Sequence, residues 1–132
     1  AAIGSYFADY WNAESDAPGN RRFVKGYIAK HKAHPSHFAA QAYDAAFLID
    51  SGVKGVQGKV DDRKALSAAL RKADYESIRG RFSFNVHGFP IQDYYKFSVV
   101  KGPGGAPAIK TEGVVFKAHK DAYHGECKAT LQ

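Results

Sequence analysis

The stretch of sequence that decides the fold is RGRFSFNVHGFPIQDYY, residues 79–95. Apolar and polar residues alternate over residues 82–86, and this period of two predicts a strand with one apolar face. Pro90 then interrupts the pattern because it has no N–H to donate to a β-ladder, and Gly88 permits a tight bend. A second apolar run follows over residues 94–100. We therefore predict two strands joined by a short kinked link.

A strand and a helix are predicted near the beginning of the chain. Residues 3–11 are aromatic-rich with partial alternation, which is typical of a strand. Asn20 is a suitable N-cap for a helix, because its side chain can accept from backbone N–H groups of a first turn. Apolar residues then recur at helical spacing. This helix should end near Pro35, since the residue before a proline avoids the helical conformation.

Two more helices are expected before the strand pair. Ser36 can cap the first of them, whose many alanines predict close packing against a sheet or another helix, and Gly52 should end it. Asp61 or Asp62 can cap the second. After the strand pair, a Gly- and Pro-rich turn at residues 102–107 should lead into a final strand. This order of elements predicts an α/β or α+β fold.

The composition is that of one globular domain with a basic surface. The chain has 132 residues, with 19 Lys and Arg against 13 Asp and Glu and a formal net charge of +6. Such a charge can favour nucleic acid, an anionic membrane or acidic ligands. The basic residues are scattered, however, and no block of like charges occurs. This pattern favours a solvated, mildly cationic surface over a dedicated polyanion site, and no apolar run is long enough to predict a membrane helix.

Candidate catalytic and metal-binding residues are few. His31, His34 and His37 recur every three residues and could bind zinc or copper on a continuous helix. Pro35 interrupts that helix, and no carboxylate or thiol stands beside them, so we interpret them as surface histidines. Cys127 is the only cysteine and cannot form an intramolecular disulfide. The residues alone therefore predict no catalytic machinery, metal or cofactor, and they favour a binding or structural role.

Several segments also form an ordered set. In chain order they read NRRF at 20–23, QAYDAA at 41–46, RGRF at 79–82, PIQDYY at 90–95 and DAY at 121–123. This set resembles the carboxyl-terminal part of the leucine/isoleucine/valine-type substrate-binding proteins of bacterial ABC importers. Those proteins are two-lobed, type I periplasmic binding proteins. The similarity covers nearly the whole chain, although no single motif is strict.

The resemblance implies how residues 1–132, taken as a single fragment, divide between two lobes. The expected fold class is α/β, the carboxyl-terminal portion of a type I periplasmic-binding-protein fold with helices packed on sheets of both lobes. Residues 12–80 would be the helical contribution to lobe 1, and residues 81–132 would return as strands to lobe 2. Gly88 and Pro90 would then lie at a hinge.

The resemblance also implies a partner polypeptide. Proteins of this type are well over twice as long as this chain, and the chain contains no methionine. A chain that contributes pieces to two lobes cannot bury both apolar faces alone. We therefore expect a missing amino-terminal segment of the same protein, with the chain present in a clipped, truncated or intertwined form.

The function implied is that of the periplasmic solute-binding component of an ABC importer, without enzymatic activity. It would bind an amino acid or a small carboxylate, including aromatic ones, between the lobes and deliver it to a membrane permease. The alternative from the residues alone is a standalone basic α/β module that binds nucleic acid or a protein partner. The resemblance itself implies no nucleic-acid partner.

Five residues are candidates for ligand binding. Phe38 matches the position where the resembled proteins place a side chain at the cleft, so it would cover an aliphatic or aromatic part of the ligand. Ser36 and His37, at the same helix start, would donate to an anionic group. Tyr6 and Tyr10 lie near the expected crossing between lobes.

Overall fold

Three helices separate one strand from three later strands in the computed structural model, which describes residues 2–128. In chain order the elements are β1 (Tyr6–Asp9), α1 (Pro18–His31), α2 (His37–Gly55), α3 (Arg63–Lys72), β2 (Ser83–Phe84), β3 (Pro90–Lys101), a 3-10 turn (Pro103–Gly105) and β4 (Pro107–His119). The predicted order of elements is confirmed. We call residues 10–82 the helical unit and strands β1–β4 the sheet.

Strand β3 is the centre of the sheet and pairs antiparallel with each of the other strands. It pairs with β1 from Tyr95 to Ser98, and with β4 along most of its length. Strand β2 adds only two pairs at the start of β3. The Gly- and Pro-rich turn at residues 102–107 joins β3 to β4, as predicted. The long β3–β4 hairpin is therefore the main body of the sheet.

The link between β2 and β3 is a tight turn organised by Asn85. The Asn85 N–H donates to the carbonyl of Phe89 at 2.8 Å, and its side-chain oxygen accepts from the N–H groups of His87 and Phe89 at 2.9 and 3.0 Å. Gly88 has a φ of 82°, a left-handed conformation that glycine adopts without steric cost. The predicted kinked link is thus a hairpin turn, and β3 begins at Pro90.

The predicted N-cap of α1 was wrong. The helix begins at Pro18, and Asn20 is fully buried in its first turn. The Asn20 side-chain nitrogen donates to three backbone carbonyls in residues 12–15 at 3.0–3.2 Å, and its oxygen accepts from the indole N–H of Trp11 at 2.7 Å. The short amide therefore closes the preceding loop instead of capping the helix.

The predicted end of α2 was also wrong, whereas two predicted caps are confirmed. Helix α2 continues past Gly52 to Gly55. A Cβ at Gly52 would lie 2.5 Å from Leu70 Cδ2, so the glycine lets α3 pack closely against α2. Ser36 and Asp62 accept from backbone N–H groups in the first turns of α2 and α3 at 3.3 and 3.0 Å. Because a glycine at a helix crossing and a glycine at a helix end look alike in sequence, packing decides between them.

Buried apolar side chains form one cluster in the helical unit and a smaller one in the sheet. The first contains Trp11, Phe23, Ala40 and Ile78. In the sheet, Phe97 is fully buried and stacks on the ring of Phe7, with the ring centroids 5.0 Å apart. Large apolar side chains are exposed on α2 and β4, namely Phe38, Phe47, Ile49, Ile109, Val114, Val115 and Phe116. Exposed large apolar side chains are therefore concentrated on these two elements.

Candidate ligand-binding site

A cleft of about 520 Å³ lies between the helical unit and the sheet. Its size falls within the range of roughly 300–1,000 Å³ typical of small-molecule sites. Apolar side chains supply most of the wall, namely Phe7, Trp11, Ala13, Val24, Pro35, Phe97, Pro107, Ala108 and Ile109. The polar lining consists of Asp9, Asn12, Glu14, His34, Ser36 and His37. Such a cleft suits a small ligand with an apolar body.

The start of α2 places Ser36 and His37 in the lining of this cleft, and Phe38 follows them without lining it. Ser36 has extended backbone angles, and its oxygen accepts from the N–H of Ala39. Its hydroxyl hydrogen is left able to donate. His37 is partly buried and lines the cleft, and the ring of Phe38 meets the His37 ring edge-on at 4.9 Å. Phe38 itself is 74% exposed, so it is open to a ligand or to another part of the protein.

Asp9, which the sequence did not single out, is the partner of His37. His37 Nδ1 lies 2.8 Å from Asp9 Oδ2, and the Tyr10 N–H donates to Asp9 Oδ1 at 2.7 Å. The two side chains are 35% and 21% exposed, so both remain accessible from the cleft. This pair joins the end of β1 to the start of α2. It also puts a carboxylate beside the helix start at which the sequence predicted an anionic ligand.

Tyr10 contacts His37 but does not itself line the cleft. Its ring centroid is 5.7 Å from that of His37, and its hydroxyl oxygen accepts from Gln41 Nε2 at 2.6 Å. The Arg79 guanidinium carbon lies 5.5 Å from the ring centroid. Burial raises the pKa of the Tyr10 hydroxyl, while the hydrogen bond from Gln41 opposes the shift. Ser36, His37, Phe38 and Tyr10 are thus brought together.

The other predicted residues are placed differently. Tyr6 is 64% exposed on β1, with the Lys96 ammonium nitrogen 4.3 Å from its ring centroid. Gly88 and Pro90 lie at the β2–β3 turn. Within residues 2–128, none of these three lines the cleft. Their roles as ligand contact and hinge stay predictions.

A buried polar network ties the helical unit to the sheet. Asp44 on α2 is 3% exposed and accepts from Tyr75, Ser77 and the Ile78 N–H at 2.9–3.0 Å. Arg79 Nε also donates to Asp44 at 2.8 Å, and Arg79 Nη1 reaches Gln92 on β3 at 3.1 Å. These bonds fix the strand-entry segment that follows α3.

The same network raises the pKa of Tyr75. Burial, reinforced by the Asp44 carboxylate, raises the pKa of the Tyr75 hydroxyl to about 12. The phenol is therefore held in its protonated form, in which its hydroxyl donates to Asp44. Sequence reasoning missed Asp9, Gln41 and Arg79, because each acts across at least 28 residues of chain or through ring contacts that no periodicity encodes.

The histidines and the cysteine considered as metal-binding or catalytic candidates do not form a cluster among the described residues. His31 and His34 are exposed, while His37 is paired with Asp9. In the part of the chain that the structure describes, no three His, Cys, Asp or Glu side chains are arranged to hold a metal ion. Cys127 is exposed. Over the same residues, no helix has the length and apolar character needed to cross a bilayer.

The arrangement is a cleft suited to a small ligand, and comparison with known proteins gives the family of the chain. The family model described as periplasmic binding protein matches residues 1–105. The chain therefore belongs to the periplasmic binding protein family. The comparison with curated protein sequences gave no match.

Solved structures agree with this assignment. An ABC transporter solute-binding protein from R. palustris, in complex with benzoate, is 34% identical over 97% of this chain and 34% of its own, with a TM-score of 0.82. A solute-binding protein from Rhodopseudomonas palustris BisB5, in complex with 3,4-dihydroxybenzoic acid, is 28% identical over 96% of this chain and 34% of its own, with a TM-score of 0.80. A leucine-binding protein from Thermotoga maritima is 20% identical over 86% of this chain and 31% of its own, with a TM-score of 0.70, and shares the fold.

The chain spans about a third of the length of these solved structures. The comparisons confirm the predicted family and fold class. They also place the chain among binding proteins rather than enzymes.

Proposed function

We propose that the chain is the carboxyl-terminal part of the periplasmic solute-binding component of a bacterial ABC importer. The proposed ligand is a small aromatic carboxylate bound between two lobes. The observation that carries the proposal is the 34% identity, over 97% of the chain, to a solute-binding protein whose structure contains benzoate. The mostly apolar cleft between the helical unit and the sheet supports a ligand with an aromatic body. An amino acid is the second ligand class.

Phe38, Ser36, His37 and Tyr10 are the proposed ligand contacts in this chain. Phe38 and Tyr10 would cover the ligand ring, while Ser36 and His37 would supply polar contacts. The ring contacts of His37 with Tyr10 and with Phe38, next to the cap residue Ser36, support this grouping. Tyr6 is proposed as a more distant contact, because it lies on β1 ahead of Asp9.

Residues 12–80 are proposed to belong to lobe 1 and residues 81–132 to lobe 2. The separate buried clusters around Trp11 and Phe97 support this division. Gly88 and Pro90 are proposed as part of the hinge. The chain also passes between the helical unit and the sheet at residues 9–11 and 79–82, so bending would involve those connections as well.

The proposed partners are an amino-terminal segment of the same protein and a membrane permease. The amino-terminal segment would cover the exposed apolar side chains of α2 and β4, which are more extensive than a folded monomer normally leaves. Nucleic acid is not a proposed partner, because the basic residues are scattered along the sequence.

A thermal-shift screen tests this function. The longest natural form of the protein should unfold at a higher temperature with benzoate present, because a ligand that binds only the folded state stabilises it. A nucleic-acid oligomer at the same concentration should give no shift. If leucine stabilises the protein and no aromatic carboxylate does, the ligand class is an amino acid instead. If only the nucleic acid stabilises it, the proposal is wrong.

A further inference from the structure

The Asp9–His37 pair has a chemistry that the family assignment does not use. We propose that it recognises a ring hydroxyl, so that the ligand is a hydroxylated aromatic carboxylate whose carboxylate group lies away from this pair. The inference rests on the proposed function, because it assigns one end of the ligand to the cleft already described.

The Asp9–His37 pair does not attract a ligand carboxylate electrostatically. Asp9 carries a negative charge, and His37 is either neutral or positive, so the two together are negative or neutral. An anionic group placed against the accessible Asp9 oxygens would face a like charge across a cleft with mostly apolar walls, where such repulsion is weakly screened. The ligand carboxylate is therefore better placed at another part of the interlobe space.

The pair does offer hydrogen-bond acceptors. A carboxylate only accepts, so His37 Nδ1 carries the hydrogen in its 2.8 Å contact with Asp9 Oδ2. In the neutral ring this makes Nε2 an acceptor, and Nε2 has no hydrogen bond to any residue that the structure describes. Among the described residues, Asp9 accepts hydrogen bonds from His37 and from the Tyr10 N–H, and its two oxygens have further lone pairs. A group that donates a hydrogen bond can therefore bind to either residue.

The surroundings of the pair fit an aromatic ring. Phe7, Trp11, Phe97 and Ile109 line the same cleft of about 520 Å³. A dry cavity of about 150 Å³ already holds benzene, so a substituted ring has ample room. Glu14 also lines the cleft but is exposed, and water therefore competes for its carboxylate. A phenolic hydroxyl is a donor that such a ring can bring to the partly buried Asp9.

Calorimetric titration of the longest natural form of the protein tests the inference without any variant. The ligands are benzoate, 3- and 4-hydroxybenzoate, and the two corresponding methoxybenzoates, which keep the oxygen but lose the donated hydrogen. At least one hydroxybenzoate should bind about tenfold more tightly than benzoate and than its own methyl ether. Benzoate or the ethers binding as tightly as both hydroxybenzoates would overturn the inference and leave the proposed function standing. If no aromatic carboxylate binds, the proposed function fails and the inference fails with it.

Two variants test whether the preference for a ring hydroxyl arises at the Asp9–His37 pair. In Asp9→Asn and in His37→Phe, the affinity ratio of the preferred hydroxybenzoate to benzoate should fall to about one. The ratio is the readout because misfolding would weaken both ligands together. Asp50→Asn is the matched control: it makes the same change at an exposed residue of α2 that pairs with Lys54, and it should keep the wild-type ratio. Retention of the ratio in both test variants would overturn the assignment to this pair.

Discussion

The helical unit and the sheet differ in what holds their side chains in place. In the helical unit, buried polar side chains are almost saturated with bonds: Asn20 makes four hydrogen bonds, and Asp44 accepts four. In the sheet, Phe97 is the large apolar side chain that is fully buried, while most of β4 is exposed. Buried hydrogen bonds between residues of this chain therefore hold the helical unit together, whereas the sheet leaves most of β4 exposed.

This difference makes the two regions respond differently to mutation. Substitutions in the polar centres of the helical unit should destabilise strongly, since buried groups left without partners are costly. The effects are measured as free energies of unfolding of the longest natural form of the protein, by denaturant titration.

Asp44→Ala should cause the largest loss, about 3–5 kcal/mol, because it leaves the partly buried Arg79 without its carboxylate and removes the acceptor of Tyr75, Ser77 and the Ile78 N–H. The matched control is Asp50→Ala, whose exposed pair with Lys54 should contribute no more than about 0.5 kcal/mol. Equal effects of the two substitutions would show that the Asp44 network does not hold the helical unit together.

Asn20→Ala should cost about 2–3 kcal/mol. The change leaves the Trp11 indole N–H and the carbonyls of residues 12–15 without their buried partner. Asn12→Ala is the comparison, because the Asn12 side-chain oxygen caps a single exposed N–H, that of Glu14. A cost for Asn20→Ala no larger than for Asn12→Ala would contradict the assigned role of Asn20.

Two glycine substitutions should have opposite signs. Gly52→Ala should destabilise by about 1–3 kcal/mol, because its Cβ would lie 2.5 Å from Leu70 Cδ2. Gly26→Ala, in the middle of α1 with no atom within 4 Å of its Cβ position, should stabilise by about 0.5–1 kcal/mol through its helix propensity. If both substitutions stabilise, α3 does not pack at Gly52.

Alkaline pH should also lower the stability of the protein, through Tyr75. Its folded-state pKa of about 12 lies above the ordinary value of 10.0, so folding favours the protonated phenol. This contribution to stability is complete below pH 10.0 and is lost as pH rises through about 12. The unfolding free energy of Tyr75→Phe should decline less over this range than that of the wild type. Identical pH profiles would contradict the buried hydrogen bond to Asp44.

Much of the fold could be predicted from the sequence, because hydrophobic periodicity and capping residues are local signals. The caps at Ser36 and Asp62 and the turn at residues 102–107 followed from such patterns. Asn20 and Gly52 were misread, since a polar or small residue suits both a helix end and a tight tertiary contact. Tertiary packing, which no short window of sequence contains, decided both positions.

The candidate site was less accessible to sequence reasoning. The start of α2 was found through family resemblance, and the structure groups Ser36, His37 and Phe38 there with Tyr10. The Asp9–His37 pair could not be predicted, because it joins residues 28 positions apart and neither belongs to a motif.

Calorimetric titration of benzoate into the longest natural form of the protein, as wild type and as Phe38→Ala, tests whether an aromatic carboxylate binds at the start of α2. We expect saturable binding to the wild type and about tenfold weaker binding to the variant, because the exposed Phe38 ring is proposed to cover the ligand. Asp50→Asn should bind as the wild type does. Absence of binding to the wild type, or equal binding to Phe38→Ala, would contradict an aromatic-acid site at the start of α2.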